Sequence, residues 1–145
     1  MGTFSAHKNT DQTGLDNGPN QITFDHVEYD PSNWFSNAAD TYTPKLKGYY
    51  RMHCQVFVDG GITNKHATLW LYKNAGAYKV LDHVRMITGD DFVVAGSAVV
   101  KSDGNDYWGV YLEHDGAPGT INISAPTLTE ESNFFEGELI AIQGA

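Results

Sequence analysis

Twelve consecutive residues, Gly48–Asp59, read G-Y-Y-R-M-H-C-Q-V-F-V-D, and their side chains alternate with a period of two. Tyr50, Met52, Cys54, Val56 and Val58 share one face, a pattern that a helix of 3.6 residues per turn does not produce. The run is therefore a strand, and a long one. Its second face is loaded too, with Tyr49, Arg51, His53, Gln55 and Phe57. A solvent-facing row rarely unites Tyr, His and Phe, and two readings stand for it. Either these residues are ordinary surface scatter, or the face packs against another subunit.

The same alternation repeats along the chain. Residues 68–73, 78–88, 91–101, 107–113 and 120–124 are further runs, and Phe134–Ile142 closes the sequence. Near the start, Thr3–His7 and residues 21–29 read alike. Turn chemistry separates the runs, for example Asn74-Ala75-Gly76, Gly89-Asp90 and Asp115-Gly116-Ala117-Pro118-Gly119. All five prolines (Pro19, Pro31, Pro44, Pro118 and Pro126) fall between runs, where a missing amide costs no ladder bond. No apolar period of 3.6 persists across a helix length, and one helical turn around residues 36–40 is the main exception expected. Some eight to ten short strands in 145 residues predict a single all-β domain spanning residues 1–145, a β-sandwich or jelly roll.

The formal net charge of −9 repels phosphate backbones, which argues against nucleic acid and anionic membrane as partners. No window approaches the roughly 18 apolar residues of a membrane span. The first residues, Met1-Gly2-Thr3-Phe4, lack the regions of a signal peptide. The one cysteine, Cys54, lies on the apolar face of its strand, so no intrachain disulfide forms and the thiol is expected buried and inert. Within the closing run, Gly137 shares a face with Phe135 and Leu139, which predicts a bulky neighbour across it.

These segments, in order, resemble the globular head of complement subcomponent one-q, in the tumour necrosis factor superfamily. Phe4-Ser5-Ala6 is similar to that family's opening strand, and Gln21-Ile22-Thr23-Phe24-Asp25 to its next. Tyr29-Asp30-Pro31 with Phe35 resembles the turn that follows. Tyr42-Thr43-Pro44 through Gly48-Tyr49-Tyr50 is similar to the approach to its long central strand. Leu69, Leu71, Lys73 and Asn74 match a leucine-x-leucine-x-lysine-asparagine segment, and residues 106–112 the penultimate strand. Ser132 to Ile140, with Phe135-Glu136-Gly137-Glu138-Leu139, is similar to the closing strand. The resemblance implies a jelly roll of about ten antiparallel strands assembled as a homotrimer around one sheet. It would place Tyr49, Arg51, His53, Gln55 and Phe57 at the trimer interface. Animal members follow a collagen stalk, and this sequence has no Gly-X-Y repeat; related domains cap phage and other viral fibres and bacterial filaments.

Chemistry-bearing motifs are sparse. There is no Gly-x-Ser-x-Gly elbow, no phosphate-cradling glycine loop and no His-Glu-x-x-His, so the chain is expected not to be an enzyme. A glycosidase-type carboxylate pair, with acids such as Glu113 and Glu130, is neither favoured nor excluded by sequence. The six histidines (His7, His26, His53, His66, His83 and His114) sit one to a segment without ligand spacing, and structural roles are expected of them. No cofactor is expected, with calcium at Asp103, Asn105 and Asp106 as the one candidate and Asp90-Asp91 nearby. The competing account of that loop is turn chemistry. Trp34, Tyr42, Tyr78 and Trp108 are candidates to stack on sugar rings, against core packing as the alternative.

Three functions fit. The favoured one is a virion surface protein, a phage fibre head or capsid decoration that engages host-surface glycan or neighbouring capsid or fibre subunits. The others are a secreted, extracellular ligand or pattern-recognition head, and a carbohydrate-binding module of a bacterial enzyme.

Overall fold

The alternation of the central run is realised residue for residue. In the computed structural model, which describes residues 2–60, 63–86, 91–125 and 132–144, Gly48–Asp59 is one unbroken strand. Tyr50, Met52, Cys54, Val56 and Val58 are fully buried, while the intervening residues are half-buried or exposed. In chain order the strands are β1 (Thr3–His7), β2 (Gln12–Leu15), β3 (Asn20–Gln21), β4 (His26–Tyr29), β5 (Phe35–Ser36), β6 (Thr41–Tyr42) and β7 (Gly48–Asp59). They continue as β8 (His66–Lys73), β9 (Gly76–Arg85), β10 (Phe92–Ser102), β11 (Trp108–His114), β12 (Ile121–Ile123) and β13 (Phe134–Ile142). Among the described residues there is no helix.

The strands form two antiparallel sheets packed as a jelly-roll β-sandwich. In the first, β10 pairs with β7 along the whole of one edge, and β13 and β12 share the other. β1 and β4 extend it beyond β13, and β2 beyond β12. The second sheet runs β5-β6-β11-β8-β9, with β3 also on β11. Apolar side chains from both inner faces make the core, as a period of two demands when one face is dry.

Two expectations need correction. Residues 21–29 are not one strand, because the chain changes sheets there: β3 pairs with β11 and β4 pairs with β1. Between them Ile22 and Phe24 turn into the core, with their amides donating to the Val110 carbonyl and to Asp40 Oδ1. Buried Lys8 pins this crossing, its Nζ donating to the Thr23 carbonyl and hydroxyl at 2.7 Å each. Burial lowers the pKa of that ammonium, against the opposing pull of Asp25, Asp40 and Asp11. The helical turn expected at residues 36–40 is instead a β5–β6 turn, in which Asp40 takes a left-handed φ of 53°. β2 went unforeseen because only Leu15 of its four residues is buried. Residues 87–90 and Pro126 lie outside the described residues.

Glycine sets two close approaches. A Cβ on Gly96 of β10 would lie 2.0 Å from the Leu81 carbonyl oxygen of β9, so its absence lets the two sheets meet at this edge. In β13, Gly137 is buried opposite Phe4, whose ring fills the space a side chain would take. That ring stacks on Tyr42 at 4.0 Å and meets Phe135 edge-on at 4.9 Å. The bulky neighbour expected for Gly137 is therefore Phe4, since a Cβ would sit 2.5 Å from its Cε1. Gly137→Val is expected to cost on the order of 1–3 kcal/mol through overpacking, read as a lower urea midpoint. Unchanged stability would mean that Phe4 has room to retreat.

Candidate interaction surfaces

Because β7 is paired on both edges, its second face becomes the middle of the first sheet's outer surface. Tyr49, Arg51, His53, Gln55 and Phe57 stand in one row there, opposite Lys101, Val99, Ser97, Ala95 and Val93 of β10. On the other side Gln55, His53 and Arg51 face Phe134, Glu136 and Glu138 of β13. Tyr49, Val93 and Val99 are each more than two-fifths exposed, as is Tyr29 farther along the same face. Phe134 packs edge-on against His53 at 5.2 Å. An outer face carrying this many exposed or half-buried apolar side chains among its polar ones is a candidate interaction surface, whereas a single exposed apolar residue is not.

Polar groups are set into that surface in a defined way. Arg51 pairs with Glu138 at 2.6 Å, both side chains about half exposed. A cleft of about 310 Å³ is lined by Thr3, Tyr29, Arg51, His53, Glu136 and Glu138. Burial, with Glu136, Glu28 and Glu138 nearby, raises the Tyr29 phenol above its usual range. The tyrosine is thus a neutral hydrogen-bonding group on this face.

The proposed sugar platform does not assemble. Tyr42 and Trp108 are completely buried, so neither ring face is open to a ligand. Their strands β6 and β11 pair with each other, which places both in the core beneath Phe4 and Tyr78. Trp34 packs partly buried against the same core. Tyr78 alone is substantially exposed, edge-on to Trp108 at 5.4 Å. Exposed aromatic surface lies elsewhere: Trp70, Tyr72 and Tyr111 are half-buried on the outer face of the second sheet, with Tyr72 and Tyr111 stacked at 3.8 Å. The alternation of residues 66–73 assigns Trp70 and Tyr72 to that outer row.

In the Asp103–Asp106 loop the carboxylates satisfy their own backbone. Asp103 Oδ1 accepts from the amides of Asn105 and Asp106, and Asp106 Oδ2 accepts from the amide of Asp103. Asn74 Nδ2 donates to Asp106 Oδ1, and Lys73 pairs with Asp106 at 3.2 Å. These bonds are the turn chemistry of the competing account. Among the described residues no three His, Cys, Asp or Glu side chains form a group able to hold a metal. Asp90 and Glu130 lie outside the described residues.

The fold does bring histidines together that the sequence keeps apart. The rings of His7 and His26, on β1 and β4, lie 4.3 Å apart and are tilted 39° to each other. His66 and His83 stack at 5.2 Å on β8 and β9. His114 is buried, its ring nitrogens at the Leu15 carbonyl and the Gly116 amide, a structural role as expected. Cys54 is buried, and the loss of solvation pushes its thiol above the ordinary range, which leaves it inert.

No protein-family model matches this sequence, and no curated protein matches it. Solved structures do. The globular domain of the zebrafish complement 1qA protein superposes with a TM-score of 0.72 at 18% identity, covering 99% of this chain and 100% of that one. Eiger TNF from S. frugiperda superposes with a TM-score of 0.68 at 11% identity, covering 99% of this chain and 95% of that one. The fold is thus the jelly roll of complement globular heads and tumour necrosis factors, the one to which the strand motifs pointed.

The acidic loop yields a pH prediction. Burial opposes ionisation of Asp106, yet the Asp103 amide, Asn74 and Lys73 outweigh it and hold the carboxyl below its ordinary range. The stabilisation is therefore present above the ordinary carboxylate pKa of about 4 and is lost as pH falls through the lower folded value. Asp106→Asn is expected to cost about 1.5–3 kcal/mol at pH 7. In urea melts the gap between variant and parent should shrink as pH falls below the ordinary carboxylate range; a gap independent of pH would disprove the assignment.

Proposed function

We propose that this chain is a non-catalytic head that forms a homotrimer through the outer face of its first sheet and engages partners through its exposed loops. The observation that carries the reading is the outer face of the first sheet. There Tyr49, Val93, Val99 and Tyr29 lie exposed around Phe57, Phe134 and His53. Three copies packed on this face would remove that surface from water at roughly 25 cal/mol per Å² of apolar area. The likeness to a complement globular domain and a tumour necrosis factor supports self-association and a non-enzymatic role. Arg51 and Glu138 are paired within one chain, so neither brings an uncompensated charge into the interface.

The finer reading is display on a virion, as a fibre head or capsid decoration contacting host glycan or neighbouring subunits. Its support is the sequence: no catalytic motif, a core without a disulfide, and a surface charge of −9 suited to a solvent-facing shell. Repetition on a particle lets weak loop contacts sum by avidity. A secreted ligand or pattern-recognition head is the second reading, favoured by the complement and tumour necrosis factor likeness.

Native mass spectrometry at micromolar concentration is expected to show trimer; mainly monomer would overturn the assembly. Phe57→Asp should release folded monomers, because a carboxylate closed off without a partner costs several kcal/mol. Val56→Asp, which places the same charge in the core, should abolish folding instead. Virions from a source carrying this gene should contain the protein in many copies by mass spectrometry. Finding it only free in the medium would favour the secreted head.

A further inference from the structure

Four times in this chain an Asn or Asp directly precedes glycine: Asn17-Gly18, Asp59-Gly60, Asp103-Gly104 and Asp115-Gly116. At such a pair the glycine amide nitrogen can attack the side-chain carbonyl carbon before it, because glycine has no Cβ to block the approach. The attack needs a side chain not already held, a glycine amide not already donating, and room for the backbone to bend. Residue order supplies the pairs, and the fold decides which of them meets these needs.

Three pairs are withheld. Asp103 Oδ1 accepts the amides of Asn105 and Asp106, and a Cβ on Gly104 would lie 3.0 Å from the Lys45 carbonyl oxygen. Asp115 Oδ1 accepts the His66 amide, and the Gly116 amide donates to His114 Nδ1. Asp59 ends β7 in register with Asn122 of β12, and a Cβ on Gly60 would lie 2.5 Å from the Thr120 carbonyl oxygen. A carboxylate is also a far poorer electrophile than a carboxamide. Asn17-Gly18 differs in each respect. The two residues form a bend between β2 and β3, with Asn17 exposed. Neither the Asn17 carboxamide nor the Gly18 amide enters a hydrogen bond among the described residues. Nothing lies within 4 Å of the place of a Gly18 Cβ. The base of the loop is clamped instead: Asn20 Oδ1 accepts the Asp16 amide, and Asn20 Nδ2 donates to the Asp16 and Gly18 carbonyls at 2.8 and 2.7 Å.

We propose that Asn17 is a self-modification site, at which the folded chain converts this asparagine to aspartate and isoaspartate with water as the one co-reactant. The Gly18 nitrogen bonds to Asn17 Cγ and gives up its proton, the Cγ–Nδ2 bond breaks, and the side-chain nitrogen leaves as ammonia. Water then opens the resulting succinimide at either carbonyl, so position 17 becomes aspartate or isoaspartate. Either product adds a negative charge beside Asp16 to a chain already at −9. Isoaspartate also lengthens the backbone of the clamped loop by one atom. Leu15 is two residues away and is the buried residue of β2, its carbonyl accepting the Gly119 amide at 2.9 Å. The isoaspartyl form therefore loosens β2, an edge strand with little else to hold it. The site lies outside the row from Tyr49 to Phe57, so the modification does not depend on self-association there.

The full chain, aged in mildly alkaline heavy-oxygen water and mapped by peptide mass spectrometry, is expected to lose ammonia and take up labelled oxygen at position 17 before any other asparagine. Asn17→Gln and Gly18→Ala should each remove that signal over the same interval. Gly18→Ala is expected to fold as the parent does, since Gly18 has no left-handed φ and a Cβ meets open space. Isoaspartate at Asp59, Asp103 and Asp115 should stay absent from the folded chain and appear when it is aged in urea. Hydrogen exchange at the Asp16 and Gly119 amides should quicken in the isoaspartyl form. An intact Asn17 after another asparagine has reacted, a signal that survives Gly18→Ala, or isoaspartate appearing first at Asp103 or Asp115 of the folded chain would each overturn the proposal. Unchanged exchange at both amides would overturn the loosening of β2.

Discussion

The ring of Phe4 is the contact on which much of the sandwich depends. It projects from β1 in the first sheet, stacks at 4.0 Å on Tyr42 and at 5.3 Å on Phe35 in the second, and meets Phe135 of its own sheet edge-on. Such ring pairs contribute about 0.5–1.5 kcal/mol each beyond the area they bury. The cluster therefore sets the spacing of the two sheets at this end. It exists because Gly137, directly opposite, has no side chain. Gly96 plays the corresponding part at the β9–β10 edge, where the backbones themselves approach.

With the inner faces committed to this core, the two outer faces diverge. That of the first sheet carries exposed apolar side chains, Tyr49, Val93 and Val99, among polar ones, with Arg51 paired to Glu138 beside Glu136 and Lys101. That of the second bears the stacked tyrosines Tyr72 and Tyr111 at one end and the stacked histidines His66 and His83 at the other. For a chain of net charge −9, copies of itself repel at long range. A surface for self-association must overcome that by burying apolar area, which the first face offers.

Much of this was legible from residue order alone. The bounds of β7 follow from alternation, because the strand has one dry face and a period of two admits one register. The row from Tyr49 to Phe57 was legible for the same reason. Ile22 and Phe24 were not: their spacing mimics a strand, while the chain there leaves one sheet for the other. Tyr42 and Trp108 misled because an aromatic beside turn residues reads the same whether its ring points out or in. Only the pairing of β6 with β11 turns both inward.

Composition and periodicity by themselves determined an all-β chain, the inward faces of its long strands, a buried thiol and a glycine needing a large neighbour. These properties are local, or depend only on one face being dry. The tertiary structure decided which distant residues meet. Phe4 covers Gly137, His66 stacks on His83, and Asp103 and Asp106 spend their carboxylates on their own loop. Strand pairing makes neighbours of residues tens of positions apart, and no local pattern encodes which strand lies beside which.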